Sequence, residues 1–222
     1  MTNYGLRSYG IDLVGGISGQ TSQALVVGLM SPTALGLYTV AMSVSRMLTM
    51  FEDSVITVLL PKSAARSLDE IIVLTRRSVG ISTLLTAICA TIVMVLGPVL
   101  LRLLYGTEFL GAIPVFRILL VEIVLQTTTG VLVQTFMATG KPEAIASLQL
   151  LTLCFKALLM FLLIPQYQLI GAGLALVISS ILRLIFTIAS YPLLLKVNPL
   201  KLILTREDWL FLLQTFKLIK RR

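Results

Sequence analysis

The amino-acid sequence predicts an all-α integral membrane protein. A six-helix transmembrane bundle over residues 1–195 is expected to precede a cytoplasmic, amphipathic and basic tail over residues 196–222. Three observations carry this expectation. Of the 222 residues, 57% are hydrophobic and only 13% charged, and the mean hydropathy of +0.98 is foreign to a soluble domain of this size. Six apolar stretches, near 11–30, 34–60, 79–100, 113–138, 144–164 and 169–190, approach or exceed the roughly 20 residues that span a bilayer as a helix. The stretches are also continuous, as in Ala87–Leu101, whereas barrel strands alternate apolar and polar positions over about ten residues.

The first span carries Gly15, Gly16 and Gly19, followed by Thr21, Ser22 and Gln23. Gly15 and Gly19 form a small-xxx-small pair, for which close helix packing is the default reading; a bend used in gating is the other. Arg7 precedes it without a clear small-residue cleavage site, so a retained first helix is expected rather than a signal peptide.

The second span orders its polar residues along one face. Thr39, Arg46, Thr49, Asp53 and Thr57 recur at helical spacings, and at about 1.5 Å rise per residue Arg46 and Asp53 stand two turns apart with Thr49 between them. Two readings stand: a stripe lining a cavity, or a structural ion pair in which Glu52 and Asp53 neutralise a neighbouring base near the cytoplasmic end. The third span is uncharged and is expected to face lipid. The fourth carries Arg117 near its outer end, Glu122 further in, then Gln126, Thr127, Thr128, Thr129 and Gln134. Glu122 is expected either to pair with a base of another helix or to take up protons in ion coupling.

Lys156 lies twelve residues into the fifth span, with Gln149 and Thr152 on its face, too deep to snorkel comfortably. In the sixth, Ser179, Ser180, Arg183, Thr187 and Ser190 form a polar stripe; Arg183 either faces a cavity or snorkels toward the cytoplasm. A cation in hydrocarbon costs at least about 2.5–3.5 kcal/mol on insertion scales, so it normally faces a polar cavity or a partner. Arg46, Lys156 and Arg183 therefore point to a pathway for something anionic.

From Pro199 the chain turns amphipathic. Thr205 is placed to cap a helix with Asp208 three residues later; Trp209, Leu212, Leu213 and Phe216 recur at helical spacing, and Lys217, Lys220, Arg221 and Arg222 close it. An interfacial helix on the anionic cytoplasmic leaflet is expected, with a partner-binding tail as the other reading.

The eighteen Lys and Arg residues fall unevenly. Arg7, Lys62, Arg66, Arg76, Arg77, Lys141, Lys196 and the basic tail gather on one side, while the opposite connections carry only Arg102. The positive-inside rule then puts both termini in the cytoplasm, with outer connections at Ser31–Thr33, Pro165–Gln168 and Arg102–Ala112. This topology accounts for the net charge of +8 without nucleic acid. Cys89 and Cys154 stand alone as expected reduced thiols, and the absence of histidine removes the commonest general base and a favoured metal ligand. No catalytic residues, metal ligands or cofactor are expected. The longest cytoplasmic loop, about Pro61–Ser78, is too short for a catalytic domain.

Five stretches carry a family resemblance: GLYTVA at 36–41, LLPKSA at 59–64, LYGTEFLGAIPVFRIL at 104–119, FMATGKPE at 136–143 and IPQYQLIGAGLALVIS at 164–179. In that order the chain resembles, up to about residue 195, the C-terminal half of polysaccharide and oligosaccharide flippases of the multidrug/oligosaccharidyl-lipid/polysaccharide exporter superfamily, the group that includes O-antigen flippases of lipopolysaccharide assembly. The resemblance implies one bundle of a two-bundle transporter in the bacterial cytoplasmic (inner) membrane. Such a transporter moves a lipid-linked oligosaccharide, typically on a polyprenyl pyrophosphate, from inner to outer leaflet by alternating access.

On that resemblance the anionic headgroup meets Arg46, Lys156 and Arg183, with Thr49, Asp53, Glu122, Gln126 and Gln23 lining the cavity or pairing its charges. Relatives often carry an acid where this chain has Gln23, so ion coupling through that position has no support here. The expected partners are the lipid-linked substrate, membrane lipids, and a missing N-terminal bundle or a second copy of the chain. A multidrug or cation antiporter of the same superfamily, which would favour cavity carboxylates, and a non-transporting membrane subunit or truncated remnant are the competing readings.

Overall fold

A computed structural model describes residues 2–63 and 67–197, with side chains described for 16–50, 52–57 and 67–197. Of the tail expected over residues 196–222 only Lys196 and Val197 are described, and the side chains of Arg7 and Gly15 lie outside the described residues. Every regular element among the described residues is helical. In chain order these are α1 (Thr2–Leu29), α2 (Pro32–Arg46), a 3₁₀ turn (Met47–Thr49), α3 (Met50–Ser63), α4 (Leu68–Tyr105), a 3₁₀ segment (Thr107–Ala112), α5 (Ile113–Ala138), α6 (Pro142–Ser190) and a π turn (Tyr191–Leu195).

Local chemistry sets the ends. Ser31 caps α2 by accepting from the Ala34 N–H at 3.4 Å, with Pro32 at the first helical position, where its missing N–H costs nothing. Ser67 and Glu70 close a reciprocal capping box at the start of α4. This cap lies well before the apolar window that starts near residue 79, because hydropathy locates what fits hydrocarbon and not where a helix begins. Gly140, at φ 72°, ends α5 in the left-handed conformation, and the Lys141 N–H returns to Phe136 O at 2.8 Å.

Three stretches among the described residues are long and apolar enough to cross a membrane: Pro32–Thr57, Leu68–Tyr105 and Pro142–Leu195. The last folds back on itself. At Gln168 (φ 47°, ψ −121°) the backbone leaves the helical region and α6 divides into two arms, 142–167 and 169–190. Phe155 and Phe186 consequently stack with ring centroids 6.0 Å apart, although thirty-one residues of straight helix would separate them by about 47 Å. Gly171 permits the reversal, since a Cβ there would sit 2.2 Å from the Leu163 carbonyl oxygen.

α5 is the hub, packing against α2, α3, α4 and α6. Val115, Phe116, Leu119, Leu120 and Ile123 of its first half join one apolar core, and Leu132, Val133 and Phe136 of its second half join another with Tyr191. Paired contacts fix the directions. Ser180 with Glu122 and Tyr191 with Leu132 make the second arm of α6 parallel to α5, while Gly97 against Phe116 and Thr75 against Thr135 make α4 antiparallel.

Of the small-xxx-small pair expected on α1, Gly15 lies outside the residues whose side chains are described; Gly19, like Gly16, is exposed with nothing within 4 Å of a Cβ placed there. Close approach occurs instead at Gly97, Gly130 and Gly173, all on helices that touch α5 or belong to it. α4, expected to face lipid, does so with Val95, Val99 and Leu103, but its other face is hydroxyl-bearing and meets α5 through Thr83–Thr128 (2.9 Å) and Thr75–Thr135 (2.9 Å).

The reversal yields opposite predictions for two neighbouring substitutions. The φ/ψ of Gln168 lies where glycine enters without the strain of order 1–3 kcal/mol that a side-chain-bearing residue meets, so Gln168→Gly should raise the thermal midpoint of the detergent-solubilised protein. Gly171→Val, which drives a side chain into the Leu163 carbonyl, should lower it by several degrees or abolish folded material on size-exclusion chromatography.

Candidate functional site

The polar residues of the second apolar stretch form a continuous exposed band. Thr39, Ser43, Arg46, Asp53, Ser54 and Thr57 are all exposed, running from α2 through the 3₁₀ turn into the first half of α3. Each hydroxyl is satisfied by its own helix: Thr39 donates to Leu35 O at 2.8 Å, Ser43 to Thr39 O at 2.8 Å and Thr57 to Asp53 O at 2.7 Å. Thr49 donates to Arg46 O at 2.8 Å and is half-buried, because the tighter 3₁₀ turn rotates it off the outer face. Met47 and Met50 flank Arg46 on the surface, and Gln23 of α1 is exposed as well.

The deeper charges converge on α5. Glu122 is buried, and its Oε1 accepts from Ser180 Oγ at 2.9 Å. The partner expected for it was a base of another helix; the hydrogen-bonding partner is a hydroxyl, with Lys156, Arg46 and Arg183 held within electrostatic range. Lys156 is half-buried and donates to Ser18 Oγ at 2.8 Å and Ser18 O at 3.4 Å, which ties the first arm of α6 to α1 and leaves one of three ammonium donors. Arg183 does not snorkel free. Its Nε is buried without a hydrogen-bond partner among the described residues, and Thr187 Oγ1, one turn on, is in the same condition. Gln126 lies half-buried one turn beyond Glu122.

Glu52 was read from the sequence only as a boundary charge that, with Asp53, neutralises a neighbouring base. It is half-buried, in electrostatic range of Arg183 and Glu122, and its carboxylate lies so close over Gly130 of α5 that a Cβ there would sit 1.7 Å from Oε1. The signal in the sequence was a glycine inside a helix, directly after the polar run Gln126–Thr129; such a glycine often marks a close approach. Three bases and two carboxylates from α2, α3, α5 and both arms of α6 thus share one region. Among the described residues no group of carboxylate, cysteine or histidine side chains could hold a metal ion.

The family model described as "Polysaccharide biosynthesis protein" matches residues 1–114. The chain belongs to this family. It is 33% identical over 141 residues to the capsular polysaccharide biosynthesis protein CapF of Staphylococcus aureus, which covers 61% of this chain and 35% of CapF. Its fold is similar to that of a solved multidrug resistance MATE family transporter of the MOP superfamily in an outward-facing conformation, with a TM-score of 0.68 at 16% identity. It is also similar to a MOP superfamily transporter from Pyrococcus furiosus whose binding pocket is described as reversed in polarity, with a TM-score of 0.58 at 16% identity. Each comparison covers 92% of this chain and 48% of the solved one. The chain thus spans about a third of CapF and about half of each transporter. Family, apolar helices and fold together make this a multi-pass membrane protein with the MOP-transporter fold.

The exposed band on α2 and α3 separates two environments. With Cys89 and Cys154 replaced, cysteines introduced at Thr39, Arg46 and Thr57 should react with a membrane-impermeant maleimide, whereas those at Val95 and Val99 on the apolar face of α4 should not; equal labelling of both sets would remove the aqueous character of the band.

Proposed function

We propose that this chain forms one wall of a transport pathway for a lipid-linked oligosaccharide, a polysaccharide repeat unit carried on a polyprenyl pyrophosphate, moved from the inner to the outer leaflet of a bacterial cytoplasmic membrane by alternating access. The observation that carries the reading is the Arg183 guanidinium, whose buried Nε has no hydrogen-bond partner among the described residues, in one electrostatic neighbourhood with Lys156 and Arg46. A buried donor without an acceptor costs roughly 1–3 kcal/mol, more for a charged group, so a molecule that supplies acceptors there is bound with that cost returned. Phosphate oxygens match the fork of a guanidinium and can also accept the spare Lys156 donor. Family membership supports a role in polysaccharide biosynthesis, and the fold supports transport.

The exposed band of Thr39, Arg46, Asp53 and Thr57 with Gln23 is the remainder of this wall. The facing wall would come from an N-terminal bundle or from a second copy of the chain. The lysine and arginine distribution supports a cytoplasmic side for both termini, with surrounding lipids as the environment of the apolar faces.

Multidrug antiport is the second reading, favoured by the fold likeness to a MATE family transporter and by the two inward carboxylates, Glu52 and Glu122. One assay separates the two. In a strain whose surface polysaccharide depends on this protein, Arg183→Gln and Lys156→Gln should each reduce export about tenfold or more while membrane insertion is preserved, since hydrogen bonds to charged groups contribute about 1.5–3 kcal/mol. Undiminished export together with a lost resistance to cationic drugs would favour antiport.

A further inference from the structure

The position of Glu52 has a consequence for how the basic cluster holds a ligand. Its carboxylate does not lie on Arg183; it lies on the backbone of α5 at Gly130, in a notch that any side chain at that position would fill. Glu122, the other inward carboxylate, is likewise engaged elsewhere, by Ser180. The guanidinium therefore has two negative charges in its field while its Nε keeps an open donor.

We propose that Glu52, seated by Gly130, is a positioning residue that offsets the charge of the Arg183 cluster without occupying its hydrogen-bond donors, so that the site selects multiply charged phosphate groups and still releases them. This rests on the function proposed above and deepens it. Offsetting at a distance serves two ends. It lowers the cost of holding several cations within a membrane bundle, where an isolated charge is expensive. It also sets a threshold, because an incoming anion must outweigh the field of two resident carboxylates. A group with two or three charges passes that threshold and a monoanion does not.

The placement of Glu52 in the chain fits this use. It stands three residues past the 3₁₀ turn that joins α2 to α3 and one residue before exposed Asp53. Arg46 stands immediately before that turn. The short non-α segment thus separates the cation that faces outward from the carboxylate that faces inward. The change of helical pitch at 47–49 lets one stretch of chain present Arg46 to the open face and Glu52 to α5.

The test compares Glu52→Gln, Gly130→Ala and Arg183→Gln in the full chain purified in detergent, with inorganic pyrophosphate and acetate as probes, and measures export in parallel. Glu52→Gln preserves shape and removes one charge. It should bind pyrophosphate more tightly, by about tenfold given the strength of unit-charge interactions at an effective dielectric near 20, bind acetate where wild type does not, and export more slowly because release is slowed. Gly130→Ala changes no charge, yet it should reproduce the gain by displacing the carboxylate from its notch. A merely structural role would give weaker binding in both variants, or none, and that result or unchanged affinity in a folded Glu52→Gln protein overturns the proposal. If wild type and Arg183→Gln bind pyrophosphate equally or not at all, the transport reading itself fails and this inference with it.

Discussion

A helix face packed between neighbours has neither water nor lipid to meet its polar groups, and α5, which packs against α2, α3, α4 and α6, carries Glu122, Thr127, Thr129 and Thr135 buried there with Thr128 half-buried. Within a bilayer the hydrophobic effect does not draw one apolar helix to another, so close packing and interhelical hydrogen bonds decide which faces meet. Here they form a seam. Thr75 and Thr135, Tyr191 with Thr135 and the Leu132 carbonyl, Thr83 with Thr128, and Ser180 with Glu122 tie α4, α5 and the second arm of α6 together. Each such bond contributes on the order of 0.6–2 kcal/mol in membranes, and together they set the register of three helices. Once that register is set, Arg183 falls near Glu122 and the cluster forms at one depth.

The same constraint explains which glycines matter. Gly97 admits the ring of Phe116, Gly173 admits Val115 and Ile118, and Gly130 admits Glu52; all three lie along the surfaces of the hub. Gly16, Gly19 and Gly28 of α1 are exposed and bring nothing close, so a glycine in a span does not by itself locate the tight contacts. What located them was the direction of the neighbouring side chain, which a linear spacing does not contain. Glu52 was grouped with Asp53 as a pair of boundary charges near the end of an apolar window, yet adjacent residues on a helix point about 100° apart. Asp53 faces out and Glu52 faces α5.

The all-helical class was legible because apolar content and unbroken hydrophobic runs leave little alternative, and the family resemblance was legible in short ordered stretches. Helix ends were less so. The capped start of α4 at Ser67 is polar and therefore invisible to hydropathy; the reversal at Gln168, by contrast, falls in the connection read from the sequence at Pro165–Gln168. Lys156, Arg183 and Glu122 stood out in the sequence because ionisable residues amid long apolar runs rarely face lipid. Their partners were not legible. Ser18 and Ser180 are ordinary residues in sequence, and only the packing of α1 and α6 gives them their work.

The surface of the bundle has two characters, and their arrangement carries the last step. On α4 the exposed residues are Val95, Val99, Leu103 and Leu104, which hydrocarbon accepts without cost. On α2 and α3 they include Arg46 and Asp53, each of which would cost about 2.5–3.5 kcal/mol if it faced hydrocarbon at the centre of a span. The hydroxyls between them do not decide the matter, since every one is bonded to its own backbone and tolerates either environment. The two charges do. A surface that carries them within an apolar stretch calls for water or protein opposite, and among the described residues both side chains are left exposed. The solved transporters of this fold are about twice as long as the chain, which leaves room for a second bundle of similar size. On the proposed function the polar band faces that second wall, Arg46 stands at the mouth of the pathway, and the inward cluster of Lys156, Arg183, Glu52 and Glu122 forms its floor. The apolar face of α4 turns to lipid for the same reason that the band does not.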